Sequence, residues 1–367
     1  MKFRTVMMRF RLFGILFLIL WCTRTGQAQP KYDFQHIAPN EVGFEQDALN
    51  KLSTFLEQAG SSALLIMIDG KIAFEWGATE RVHTIHSIRK SMLHSLIGIK
   101  VHEGVIDTNQ TIKDLGISDK FGLTEQEKTA RVADLLKSRS GVYHSAAAVS
   151  EGMRRNKPER DEHLPGTHYY YNNWDFNVSN YILEKATEKS IYTLFNDLIA
   201  KPLGMHHYDG TFTAFDIDEI DDDRSFRFPT TSGFYQFERA KSIYPAYHFR
   251  MSARDMAIYG NLYLNEGRHN GQQVVPKEWI QKTIQPFSVY NERYGLAYGM
   301  LWNVLMPTES RSNKSFYHTG AGIHMLAVYP SSNMVLVHRV DTETAATSFS
   351  NQDLLQVIDL VFEARKK

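Results

Sequence analysis

The sequence predicts an α+β fold: one antiparallel sheet built from both chain ends, flanked by terminal helices, with a mostly helical subdomain inserted between them. Three observations carry this. Near the start, "SALLIMIDGKIAFEWG" is two β-rich runs around Asp69-Gly70, a strong hairpin signal. Near the end, "YGLAYGMLWNVLM", "SFYHTGAGIHMLAVYP" and "NMVLVHRVDT" read as further strands separated by turn signals. From about 108 to 265 the chain reads mostly as helices and long loops, among them "EQEKTARVADLLKSRSG", "NVSNYILEKATEKSIYTLFNDLIAKPLG" and "SARDMAIYGNLYLNEG".

The elements follow in order. Residues 1–28 have a basic start, an apolar run from Leu12 to Cys22 and a small-residue end at Ala28, the layout of a secretory signal peptide. The apolar run is well short of the roughly 20 residues a membrane span needs, so the expectation is cleavage after Ala28 and export to the periplasm or beyond. Residues 44–60 place Leu49, Leu52, Phe55 and Leu56 at helical spacing and stop at Gly60. The hairpin follows, then a helix beginning in "HSIRKSMLHSLIG" and ending near Gly104, and after the insertion and the late strands an amphipathic helix, "NQDLLQVIDLVFEAR". Residues 29–367 are long enough for two domains or for one large domain with an inserted subdomain; the pattern favours the second.

Composition narrows the function classes. The sequence holds 41 basic and 41 acidic residues, but Lys2, Arg4, Arg9, Arg11 and Arg24 lie in the signal, leaving 36 basic against 41 acidic. That balance argues against nucleic acid or an anionic membrane as partner. Cys22 is the only cysteine and would leave with the signal, so neither a disulfide nor a thiol nucleophile is expected. The acidic run from Asp216 to Ser225 lacks the glycine and terminal glutamate of a calcium loop and reads as a solvated surface loop. No GxSxG elbow, HExxH helix or GxxxxGK[ST] loop occurs, and the fifteen histidines are scattered, so no metal or cofactor is implied.

The helix at 86–98 is the anomaly. Ile88, Met92, Leu93, Leu96 and Ile97 recur around more than one face, which predicts burial, yet its first turn holds a serine, an arginine and a lysine. Ser87 and Lys90 are three residues apart and share a face. A serine opening the helix lies near free backbone amides and the positive end of the dipole, where a developing oxyanion is favoured. A lysine one turn in and shielded from water loses proton affinity and becomes a base near neutral pH. Arg89 points to another face and reads as structural. Two further segments accompany this SxxK: Tyr171-Asn172-Asn173 within "LPGTHYYYNNWDFN", and His318-Thr319-Gly320 at the start of an apolar strand.

In that order and at those separations the three segments resemble the serine hydrolases related to class C β-lactamases and D-alanyl-D-alanine carboxypeptidases. "VADLLKSRSGVYH" and "MSARDMAIYGNLYLNEG" extend the likeness to roughly Phe44 through Leu360. The third motif there is usually lysine, threonine, glycine, with histidine as the variant of esterase-like branches. The resemblance implies a β-lactamase/transpeptidase-like fold, Ser87 as nucleophile, Lys90 as its base partner and Tyr171 as the proton shuttle, with either Lys90 or Tyr171 taking the serine proton. It further implies that Asn173 holds Lys90 and the substrate, that His318, Thr319 and Gly320 line the substrate strand, and that the backbone amides of Ser87 and Ala321 form the oxyanion hole.

Competing residues stand beside these. Tyr169 and Tyr170 adjoin Tyr171, and two of the three tyrosines are expected to pack or line the cleft. His144, Trp174, His248 and His324 read as structural, while the loops 145–163 and 207–240 are expected to shape the pocket. The expected activity is hydrolysis of a small-molecule ester, amide or peptide through an acyl-enzyme; the alternative is a penicillin-binding or sensor protein that is acylated without turnover. Because His318 replaces a permanent cation, neutral substrates are expected to be preferred to anionic ones unless Arg250 or Arg339 supplies the charge.

Overall fold

The computed structural model describes residues 30–220, 228–309, 311–344 and 348–366. The signal segment through residue 29 and the second half of the acidic run, 221–225, therefore lie outside the described residues. The Asp69-Gly70 dipeptide makes the predicted turn, with φ of 49° and 77°, the double positive φ that matches the twist of its flanking strands. It joins β1 (Ala63–Ile68) to β2 (Lys71–Gly77). Late in the chain come β3 (Ser288–Asn291), β4 (Leu296–Tyr298), β5 (Asn303–Leu305), β6 (Ser315–Gly320), β7 (His324–Tyr329) and β8 (Met334–Arg339). These eight form one sheet in the order β2-β1-β8-β7-β6-β5-β4-β3, every neighbouring pair antiparallel. The early hairpin is thus stitched to the last strand, Ala63 opposite Arg339 and Ile68 opposite Met334.

Alternation along β1 sets what covers each face. Leu64, Ile66 and Ile68 belong to a core shared with Leu49, Leu52 and Leu56 of α1 (Gln46–Ala59) and Val357 and Val361 of α5 (Asn351–Ala364). Ala63, Leu65 and Met67 point the other way, into the larger core with Met256, Ala257 and Leu262 of α4 (Ala253–Leu264). The two terminal helices thus flank the sheet as predicted.

The 108–265 segment differs from its reading as mostly helix and loop. It contains three strands, Phe212–Asp216, Gly233–Phe237 and Ala246–Met251, which with His83–Thr84 form a second sheet, parallel only between the first two. The first two of these strands are parallel and joined by no hairpin, so no tight-turn signal marks the pairing; they are tied by aromatic packing, as between Phe212, Tyr235 and Tyr192. In addition, α4 leaves the insertion and packs on the main sheet: a Cβ on Gly260 would stand 2.5 Å from Cγ1 of Val335.

Between the two parts runs α2 (Arg89–His102), buried without interruption from Arg89 to Ile99. Its all-round burial needs a close neighbour on every side, and Gly98 makes room for one: an added Cβ would fall 2.1 Å from Cδ1 of Trp279, whose indole N–H donates to the His94 carbonyl at 3.0 Å. Alanine at 98 would gain about 1 kcal/mol of helix propensity but overpack a ring that has no free direction, at a cost of about 1–3 kcal/mol or more. Gly98→Ala is therefore expected to lower stability in urea unfolding followed by tryptophan fluorescence; a midpoint at or above wild type would show that Trp279 yields freely.

Candidate active site

Three separate pieces of chain converge at the start of α2. Ser87 occupies a single 3₁₀ turn, His86–Ile88, just before the helix, and is half-buried. Lys90, one turn on, is fully buried and its Nζ lies 2.8 Å from Ser87 Oγ. Burial, with Arg89 beside it, pushes the Lys90 amine well below the usual lysine range. Its nitrogen sits 4.9 Å from the ring centre of Tyr171 and 5.0 Å from that of Phe176.

Tyr171 arrives on the segment that starts α3 (Asn173–Thr187). Asn172 caps that helix, accepting from the Trp174 N–H at 3.1 Å and donating to Val142 O and to Asp175 Oδ1. The cap fixes the backbone that carries Tyr171. The Tyr171 hydroxyl is buried and makes no hydrogen bond of standard geometry. Burial raises its pKa to about 12, with the nearby Ser87 hydroxyl and Arg89 opposing the rise. Desolvation thus works against the ammonium of Lys90 and against the phenolate of Tyr171 alike.

The third piece is β6. His318 Nδ1 is 2.9 Å from the Thr319 carbonyl, which can only accept, so Nδ1 carries the proton and Nε2 is a bare acceptor. Nε2 is buried and unpartnered, and burial beside Lys90 lowers the ring's pKa to about 3. Gly320 meets the turn of Ser87 directly: a Cβ there would lie 2.5 Å from the Ile85 carbonyl oxygen and 3.1 Å from His86 Cβ.

These pieces bound a cavity of about 940 Å³ lined by Ser87, Tyr169, Tyr170, Tyr171, His318, Thr319, Gly320 and Ala321. Ala148, Val149, Gly152 and Met153 from the 145–163 loop and Gln236 from the 207–240 segment complete it, as expected of both. Tyr170 donates to the Met153 carbonyl at 2.8 Å and Tyr169 stacks on Tyr290, so both serve the wall.

Other residues fall elsewhere. Asn173 does not line the cavity and makes no bond to Lys90; its amide donates to the Ala148 carbonyl and so tethers the 145–163 loop. His144 pairs with Glu127, Trp174 donates to Asp119 and His324 accepts from Arg339, all away from the cavity, in agreement with their structural reading. His248, also read as structural, lines it, as do Arg89, His86, Tyr290 and Asn303. For Tyr290 and Asn303 the sequence holds no signal. For Arg89 it did: a charge in a helix buried on all sides is the same anomaly that marked Lys90.

Buried imidazoles held neutral lie around Ser87 and deeper in the fold. His86 has a φ of 49°, a left-handed backbone costly for a residue with a Cβ. Its ring stacks on His324 at 5.2 Å, and its Nε2 is 2.8 Å from Thr342 Oγ1. Desolvation lowers His86 and His338 to about 4 and His94 to about 3, and holds His248 and His324 well below the usual range. Among the described residues no group of three or more His, Cys, Asp or Glu is placed to hold a metal ion, and no helix is long and apolar enough to cross a membrane.

A large antiparallel sheet under its two terminal helices, with a serine, a buried lysine and a tyrosine meeting beside one of its inner strands, is the arrangement of the β-lactamase-related serine hydrolases. The chain belongs to the beta-lactamase family, whose model matches residues 50–355. It is 23% identical over 213 residues to a putative D-alanyl-D-alanine carboxypeptidase of Salmonella paratyphi A, a match covering 46% of this chain and 49% of that one. The chain thus spans about half the length of the curated relatives it matches. Among solved structures it resembles a putative 6-aminohexanoate-dimer hydrolase from Bacillus anthracis (TM-score 0.62, 18% identity, covering 92% of this chain and 89% of that one). A penicillin-binding protein from Bacillus halodurans is similar in fold (TM-score 0.61, 16% identity, covering 85% and 100%).

Two outcomes follow from this geometry. Gly320→Ala should push β6 away from the Ser87 turn and lower kcat/KM by about 10²-fold with the circular dichroism spectrum unchanged; undiminished turnover would show that the close approach is dispensable. The buried histidines set the pH response of the fold. Below about pH 6.5 an unfolded chain protonates them, whereas the folded chain does not until near pH 4 or lower. Stability therefore falls as pH falls through that window, by up to about 1.4 kcal/mol per pH unit for each histidine. Asp175 and Glu184, whose carboxyls burial raises, oppose the loss only in part. The urea midpoint should be clearly lower at pH 5 than at pH 7.5, and equal midpoints would contradict the assignment of these rings as neutral.

Proposed function

We propose that the protein is an exported serine hydrolase that cleaves an ester or amide bond of a small molecule or peptide through an acyl-enzyme on Ser87. The observation that carries the reading is the 2.8 Å separation of Lys90 Nζ from Ser87 Oγ, with the lysine sealed from water. A desolvated amine at that distance takes the hydroxyl proton as oxygen attacks the carbonyl carbon. The backbone amides of Ser87 and Ala321 receive the resulting oxyanion. Lys90, now an ammonium, lowers the pKa of Tyr171, which passes its proton to the departing alcohol or amine and is refilled from Lys90. Water then attacks the acyl-enzyme carbonyl, giving its proton back through the same pair, and the acid leaves with Ser87 restored. The desolvation of Lys90 and the raised pKa of Tyr171 favour the lysine as base and the tyrosine as acid.

A fluorophosphonate label and a chromogenic short-chain ester test this together. Ser87→Ala should abolish both labelling and turnover while the thermal midpoint stays near wild type; labelling that survives would move the nucleophile elsewhere. Lys90→Ala and Tyr171→Phe should each lower kcat by orders of magnitude, and the double variant by far less than the product, because the two groups act as one proton relay. A single burst with a stable serine adduct, in place of steady turnover, would instead favour the acylated-sensor reading.

A further inference from the structure

Arg89 is a buried cation without a counter-ion. It is 2% exposed, and among the described residues it forms no ion pair and no hydrogen bond; its Nε and one terminal nitrogen are sealed from solvent unpartnered. What it faces is aromatic: the guanidinium carbon lies 5.2 Å from the ring centre of Tyr247, with Tyr171 and Tyr192 also near. Burying an unpaired charge costs several kcal/mol, and a guanidinium cannot escape by losing its proton. Among the described residues only these aromatic rings offset that cost, and no acid or carbonyl does.

The side chain lines the same cavity as Ser87, and so does His248, which is 6% exposed with both ring nitrogens unpartnered. The other cations near the cleft are occupied. Arg250 makes a two-point pair with Glu343 at 3.0 and 2.7 Å. Arg339 donates to the carbonyls of Met251, His83 and Thr84. Lys90 is held against Ser87, and His318 presents only a lone pair. Among the described residues Arg89 is therefore the permanent charge left over in the cavity wall, and the terminal nitrogen that is not sealed from solvent can donate a charge-assisted hydrogen bond to a carboxylate.

We propose that Arg89, assisted by an N–H of His248, is the receptor for a carboxylate carried by the substrate, so that the site prefers anionic esters or amides to neutral ones. This reverses the expectation drawn from His318 and rests on the serine-hydrolase reading above for its catalytic part, though not for its binding part. Val149, Met153, Tyr169 and Tyr290 on the outer wall suit an apolar or aromatic remainder.

The test uses two matched ester pairs, because the carboxylate can lie on either side of the scissile bond: mono-4-nitrophenyl adipate against its methyl ester, and 4-acetoxybenzoate against methyl 4-acetoxybenzoate. The anionic member of at least one pair should be favoured about ten-fold or more in kcat/KM, and Arg89→Met should erase that ratio while Arg89→Lys keeps part of it. A ratio near one in both pairs for wild type, or a ratio unmoved in Arg89→Met, overturns the proposal. Separately, calorimetric titration of Ser87→Ala with monomethyl adipate should show binding that is lost in Ser87→Ala/Arg89→Met and absent for dimethyl adipate. This arm reports on Arg89 even if no ester is turned over, in which case the hydrolase reading fails and the anion site is judged by binding alone. Removing an unpaired buried charge should also raise the thermal midpoint of Arg89→Met; a lower midpoint with unchanged monomethyl adipate binding would make Arg89 a structural residue and end the proposal.

Discussion

The site depends on keeping water away from the amine of Lys90. A lysine in solvent is an ammonium at neutral pH and no base at all, so the fold has to surround the first turn of α2 on every side while leaving Ser87 open. The surrounding layers meet that requirement from different parts of the chain. The main sheet brings β6 against the turn of Ser87, α3 and the segment before it bring Phe176 and Tyr171 over the amine, and Trp279 packs against the helix at Gly98. Aromatic rings suit this position because they exclude water and still offer a negative face to a cation.

The same dryness governs the rest of the local electrostatics. Rings that would titrate near neutrality in solvent are held neutral: His86, His248, His318 and His324 surround the site without adding charge to it. Arginine cannot respond in this way. Arg339 is accommodated by three carbonyls and by His324, and Arg250 by Glu343, so their charges are spent inside the structure. Arg89 alone in this group faces rings and the cavity, and that contrast gives it its meaning.

Much of this was legible in the sequence, for identifiable reasons. The β1-β2 turn was readable because Asp-Gly suits two successive positive φ values, and the terminal helices because their apolar positions keep a 3.6-residue period. Ser87, Lys90 and Tyr171 were readable because their types and order carry chemistry, and the structure brings Ser87 and Tyr171 to the cavity wall with Lys90 sealed behind them. The second sheet was not, since its strands pair across long separations and its aromatic residues mark no period. Nor was the position of Asn173: a side chain at the first turn of a helix can face the cleft or the neighbouring loop, and that choice is made by Ala148, which no local pattern reveals. Arg89 was misjudged by face. Helical spacing sets it apart from Ser87 and Lys90, but a cavity that wraps around the helix start reaches both faces.

The pairing of β1 with β8 has a kinetic meaning. Ala63 has Arg339 as its sheet partner, and the helix that precedes β1 packs on the helix that ends the chain. The central strands of the sheet therefore cannot close until the chain has been made through β8, and the loop between the paired strands holds the whole insertion. A nascent chain carries Ser87 long before it carries the strand of His318 and Gly320 that the turn of Ser87 packs against. Folding is accordingly expected to be slow and late, with apolar strands exposed in the interval, and no shortened chain ending before β6 can assemble the cavity.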